Sequence, residues 1–151
     1  MTITTLHLDM MRRALQESHR ALPACRPNPP VGCVIAQGAA IISTGFTNPP
    51  GQFHAEAMAL AALSSEQAAQ PFDVYVTLEP CSFFGRTPSC ALALIKYPVQ
   101  CVYVAMLDPD PRNNGKGIQI LRDANIPVVV GVREQEVRAF LEPYLIKDAA
   151  T

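Results

Sequence analysis

Residues 77–90 read TLEPCSFFGRTPSC, with Cys81 and Cys90 at the two ends of a polar, turn-rich run. A core segment would not spend Gly85, Arg86 and Pro88 on so short a stretch, so it reads as a loop with a thiol at each end. Upstream, residues 73–78 are apolar and β-branched enough to form a strand. Downstream, residues 88–96 have helical spacing, with Thr87 suited to the N-cap and Pro88 to the first helical position. Cys90 then falls in the first turn, where free N–H groups and the positive end of the helix dipole lower a thiol pKa. Strand, ligand-rich loop and helix in succession are the signature of an α/β sheet.

The rest of the chain extends that pattern. Residues 6–22 carry apolar side chains at helical spacing and stop at Pro23. The run Arg26-Pro27-Asn28-Pro29-Pro30 is a rigid connector. Residues 31–36 and 40–46 flank Gln37-Gly38-Ala39 as a β-hairpin. The Ala-rich run 54–63 reads as a helix behind a Gly/Pro/Asn loop. Residues 99–106 form a strand, 118–124 a helix, 126–130 a buried strand and 134–146 a closing helix. Alternating strands and helices in this half predict parallel strands covered on both faces. No repeat or linker divides the 151 residues, which are read as one domain.

Composition narrows the function. A formal net charge of −1 gives no electrostatic support to nucleic-acid binding. Asp9, Arg12, Arg13, Glu17 and Arg20 make the first helix too charged for an export segment, and no apolar run is long enough to span a bilayer. A cytoplasmic enzyme or binding protein is expected. Five cysteines in such a chain read as thiols or metal ligands rather than disulfides. Cys33 and Cys101 lie in apolar runs and read as small buried hydrophobes. Cys25 borders the Pro-rich connector and is expected at the surface. His7 and His19 are read as surface or boundary residues.

The remaining His and Cys residues form a constellation. His54, Cys81 and Cys90 supply one imidazole and two thiolates, a three-ligand zinc set of the kind that leaves the fourth position to water. Glu56 follows His54 by two residues. In a regular helix such a pair points opposite ways, so both can face one site only if His54 sits at an irregular helix start. The loop at Gly51 permits that.

On these residues the chain resembles a known family. His54-Ala55-Glu56, then Pro80-Cys81 and a later cysteine, resemble the zinc signature of the cytidine deaminase superfamily. Most of its members write Pro-Cys-x-x-Cys, whereas eight residues separate Cys81 from Cys90 here. TLEPCSxxGRTPxC is similar to the riboflavin-pathway pyrimidine deaminases, the RibD or RibG deaminase domain. RPNPPVGCVIA (26–36) and VAMLDPDPRNNGKGIQILRDANIPVVVGV (104–132) resemble two further segments of that family, so the likeness spans residues 6 to 145.

The resemblance implies a three-layer α/β/α fold with a mixed five-stranded central sheet. It implies one Zn²⁺ per chain on His54, Cys81 and Cys90, with Glu56 moving protons in hydrolytic removal of an exocyclic amine from a small aminopyrimidine. Asn28 matches the ring-binding Asn; Thr47, Ala55, Ser82, Phe83, Phe84, Arg86, Thr87 and Asp108 are expected to line the substrate pocket. It also implies a homodimer or larger assembly.

Several positions depart from the family. Phe83 stands where the family has His, Phe84 where it often has His or Tyr, and Thr47 where it has the His of Gly-x-His. Asp108-Pro109-Asp110-Pro111 replaces Asp-Pro-Asn-Pro, and no reductase domain is expected after residue 151. An intact metal site with an altered pocket is the reading. The alternatives are a nucleoside, nucleobase or RNA deaminase, and a non-catalytic zinc-stabilised binding protein.

Overall fold

The computed structural model of the chain describes residues 2–83, 85 and 87–145. The first helix, α1 (Thr5–His19), is closed by a capping box in which Thr4 and His7 each satisfy the other's backbone N–H. It ends three residues short of the predicted limit, and turns carry the chain through the Pro-rich connector. The hairpin follows as β1 (Gly32–Gln37) and β2 (Ala40–Phe46). Then come α2 (Ala55–Ala61), the one-turn α3 (Ser65–Ala68), β3 (Phe72–Val76), α4 (Cys90–Leu94), β4 (Val99–Val104), α5 (Lys116–Asp123), β5 (Val128–Val130) and α6 (Glu134–Leu141).

The five strands form one mixed sheet in the order β2-β1-β3-β4-β5. β1 runs antiparallel to both of its neighbours, while β3, β4 and β5 are parallel. Alternation along the strands builds two cores. Cys33, Ile35, Phe72, Val74, Val76, Val102 and Val104 pack with Ala55, Ala59, Ala91, Leu94, Ile118 and Leu121 from α2, α4 and α5. Val34, Ala36, Tyr75, Cys101 and Tyr103 pack with Met10, Met11 and Ala14 of α1 and Val137 and Leu141 of α6. Helices thus cover both faces, which is the expected three-layer architecture.

Two expectations need correction. The sequence predicts a buried strand at 126–130, but β5 is an edge strand whose three residues are half-buried, because among the described residues β4 is its one strand neighbour. Cys25 is fully buried rather than at the surface. The turns after α1 fold it inward, and its N–H donates to the Ala21 carbonyl. Cys33 and Cys101 are buried as expected.

Two loops leave the sheet side by side at the C-terminal ends of β3 and β4, residues 77–89 and 105–115. Crevices at strand ends of this kind are where open α/β sheets hold ligands. Glu79 joins the two loops. Its buried carboxylate accepts from the N–H groups of Asp108 (3.1 Å), Gly115 (2.9 Å) and Ile118 (3.1 Å).

Candidate active site

α2 begins at Ala55, and His54 is its N-cap residue in extended backbone (φ −74°, ψ 169°). That break resolves the spacing of His54 and Glu56. The imidazole leaves the chain before the helix and the carboxylate leaves from its first turn, so both line one pocket. Close approach of α2 to the sheet fixes their depth, with Gly45 of β2 lying against the Ala55 carbonyl.

On the other wall, the start of α4 is built around Cys81. Its carbonyl accepts from Ala91 N–H (3.0 Å) and from the Ser89 hydroxyl (2.7 Å), and its sulfur accepts from Cys90 N–H (3.2 Å). Ser89 is also the N-cap, accepting from Leu92 N–H at 3.2 Å. The cap expected at Thr87 therefore lies two residues later. Ser89 has the same chemistry and in addition reaches the Cys81 carbonyl.

His54 Nδ1 lies 3.4 Å from Cys90 Sγ and 3.8 Å from Cys81 Sγ, and the three ligand atoms are mutually within 4.8 Å. Tetrahedral zinc with ordinary Zn–S and Zn–N bonds would separate sulfur and nitrogen by about 3.6 Å. The two observed distances straddle that value, so the residues fit the metal.

The Cys81 thiol is pulled down to about 4, first by its hydrogen bond with Cys90 and, among further causes, by the one with His54. Cys90 is pushed up, by sharing a proton with Cys81 and then by burial. This reverses the expectation that the helix start lowers Cys90. The Cys90 thiol and, to a lesser extent, its N–H both donate to the Cys81 sulfur, so Cys81 carries the charge. The Cys81 hydrogen bond raises His54. Glu56 is buried and pushed up to about 7, by burial first and then by the nearby Cys81 thiolate.

His54, Glu56 and Cys81 open onto a cavity of about 260 Å³, while Cys90 is buried behind them. Asn28, Thr47, Phe83, Thr87 and Asp108 line it together with His54, Glu56 and Cys81. Ala55 and Ser82 do not. Ala55 is fully buried under α2, and Ser82 directs its N–H to Asn113 Oδ1 at 3.1 Å. Phe84 and Arg86 lie outside the described residues. Thr47 is buried and turned toward the backbone, its hydroxyl accepting from Val31 N–H at 3.0 Å.

Sequence reasoning missed Glu79, Asp110, Arg112 and Asn113. Glu79, Asp110 and Arg112 line the cavity. Asn113 is buried and donates to the Pro80 carbonyl at 3.2 Å. Arg112 is held by Asp110 at 2.6 Å, and its guanidinium lies 4.6 Å from the centre of the Phe83 ring. The one available signal was that Asp110 departs from the family's Asn.

The chain matches the family described as cytidine and deoxycytidylate deaminase zinc-binding region over residues 4–106. It is 47% identical to the riboflavin biosynthesis protein RibD of Chlamydia pneumoniae, over 91% of this chain and 36% of that protein. Acinetobacter baumannii RibD is 42% identical with a TM-score of 0.86, covering 92% of this chain and 38% of that one. A Thermotoga maritima diaminohydroxyphosphoribosylaminopyrimidine deaminase/5-amino-6-(5-phosphoribosylamino)uracil reductase is 34% identical with a TM-score of 0.85, covering 92% and 40%. The chain thus spans well under half the length of these relatives.

Proposed function

Because the chain belongs to the cytidine and deoxycytidylate deaminase family, we propose that it is a zinc-dependent hydrolytic deaminase of a small aminopyrimidine or related heterocycle, RibD-like but with an altered pocket. The observation that carries the reading is the buried Glu56 carboxyl on the wall of the cavity that His54 and Cys81 also line, with Cys90 completing the ligand cluster behind them.

His54, Cys81 and Cys90 would hold the metal, which supplies Lewis-acid activation of water when bound. Glu56 holds and moves the protons. With a pKa of about 7 in the metal-free chain, its carboxyl can take a proton and give it up near neutral pH. It accepts one from the attacking water and passes it to the ring nitrogen beside the amine-bearing carbon. It then serves the departing nitrogen, which leaves as ammonia while the ring carbon becomes a carbonyl. Asn28 and Asp108 offer polar groups to orient the ring.

The altered pocket sets the substrate. Thr47 offers a small hydroxyl whose oxygen already accepts from Val31 N–H, and Phe83 presents a ring already faced by Arg112. Among the described residues the wall carries the carboxyls of Glu56, Glu79, Asp108 and Asp110, and the Arg112 charge is paired with Asp110. Such a wall disfavours a phosphate. We therefore propose poor turnover of the phosphorylated riboflavin intermediate and a preference for a less polar aminated ring. A homodimer or larger assembly is part of the proposal, supported by Phe53 and Leu92, which are 52% and 47% exposed within two residues of His54 and Cys90.

The test is a side-by-side comparison of kcat/KM on that intermediate, its dephosphorylated form and other aminopyrimidines. Turnover of the phosphorylated form at about 10⁴ M⁻¹s⁻¹ or above would refute the altered pocket.

A further inference from the structure

An imidazole can ligate a metal through Nδ1 only if its proton sits on Nε2. His54 aims Nδ1 at both sulfurs. Its Nε2 lies 3.0 Å from Thr87 Oγ1. A hydroxyl can accept or donate, and the two cases have opposite consequences. If Thr87 donated, Nε2 would be the acceptor and the ring proton would fall on Nδ1, between the thiols. If Thr87 accepts from Nε2–H, the Nδ1 lone pair is free where the three ligand atoms converge.

The surrounding loop holds the hydroxyl in place. The Thr87 carbonyl accepts from Gly85 N–H at 3.1 Å, and Pro88 fixes the backbone that follows. Thr87 does not cap α4, since Ser89 does that. The hydroxyl is therefore not committed to the helix.

We propose that Thr87 is a positioning residue for the metal site: its Oγ1 accepts from His54 Nε2–H and fixes the tautomer and ring plane in which Nδ1 meets the Cys81 and Cys90 sulfurs. Partners of this kind typically change metal affinity by about 10–100-fold when removed. The inference rests on the zinc reading above.

The experiment measures the zinc dissociation constant of the full chain by competition with a chromophoric chelator, for the parent, Thr87→Val and Thr87→Ser. Thermal unfolding of each metal-free protein and the absorption spectrum of each cobalt(II)-substituted protein are recorded alongside. Valine keeps the shape and removes the acceptor; serine keeps the acceptor. The expected result is a rise of about 10–100-fold in the Thr87→Val constant, recovery in Thr87→Ser, unchanged metal-free Tm values, and a cobalt spectrum altered only in the valine variant. Equal affinity of parent and Thr87→Val overturns the inference, as does a serine variant as weak as valine. A loss of affinity matched by a lower metal-free Tm also overturns it. A parent chain that binds no zinc overturns the zinc reading itself and this inference with it.

Discussion

Gly45→Ala is a single methyl group placed where the fold sets the depth of the active site. A Cβ at Gly45 would lie 2.1 Å from the Ala55 carbonyl oxygen and 2.8 Å from Ala59 N, whereas ordinary contact begins at 3.4 Å. Both obstacles are backbone of α2, so no side chain can rotate away. The helix must retreat from β2 by about 1.3 Å, the difference between contact and overlap. Overpacking of this kind costs roughly 1–3 kcal/mol. The larger effect should fall on chemistry, because α2 carries Glu56 and its N-cap is His54. Misplacing reacting groups by about 1 Å costs on the order of 10²-fold in rate. Gly38→Ala is the control: it sits in the hairpin turn at φ +61° with no atom within 4 Å of the added carbon. It should be destabilised by about 1 kcal/mol from backbone strain alone. Urea unfolding, zinc content and ammonia release per folded molecule are measured on both variants. Both should lose stability, and only Gly45→Ala should lose zinc and turnover. Equal turnover per folded molecule in the two variants would refute the coupling of Gly45 to the site.

Cys90→Ser should lower zinc content and thermal stability together, since metal binding contributes to folding; full zinc occupancy in both Cys81→Ala and Cys90→Ala would remove the ligand assignment. Glu79→Gln replaces an acceptor of three backbone N–H groups by an amide that presents a donor to one of them. A loss of about 2–3 kcal/mol in chemical denaturation is expected, and a loss under 0.5 kcal/mol would contradict the clamp. In the metal-free protein Glu56 titrates at about 7 against an ordinary value of 4.5. The folded state then binds more protons than the unfolded one between those values, so this group's contribution falls as pH rises through the window. Metal-free Glu56→Gln should accordingly gain stability relative to the metal-free parent from pH 4.5 to pH 7, read as a widening difference in Tm; a constant difference would contradict the raised Glu56 pKa.

The candidate metal cluster was legible because it depends on residue identity at fixed spacing. His54, Glu56, Cys81 and Cys90 stood out from the chain, and the requirement that His54 lie at an irregular helix start followed from helix geometry alone. The layers were legible as well, because strands and helices alternate through the second half, which calls for parallel strands covered on both faces. What escaped was set by contacts between distant segments. Glu79 meets Asp108 and Ile118 only once β3 and β4 are paired, and Arg112 reaches Phe83 only once both loops are placed. The cap of α4 was misplaced by two residues because Thr87 and Ser89 are equally capable in sequence. Only the Cys81 carbonyl distinguishes them. Cys25 was misjudged because a Pro-rich neighbourhood marks a turn but does not say which way the turn folds its side chains.

The central claim is that Glu56 and the His54, Cys81 and Cys90 cluster together carry out hydrolytic deamination. Ammonia release by zinc-loaded parent and zinc-loaded Glu56→Gln, over one panel of aminopyrimidine nucleotides, their dephosphorylated forms and free bases, tests it directly. The amide keeps the shape of the carboxyl but cannot carry a proton, so the account predicts turnover by the parent and a loss of about 10²–10⁴-fold in the variant with zinc retained. A zinc-loaded parent that releases no ammonia from any member of the panel, or a glutamine variant as active as the parent, would contradict it.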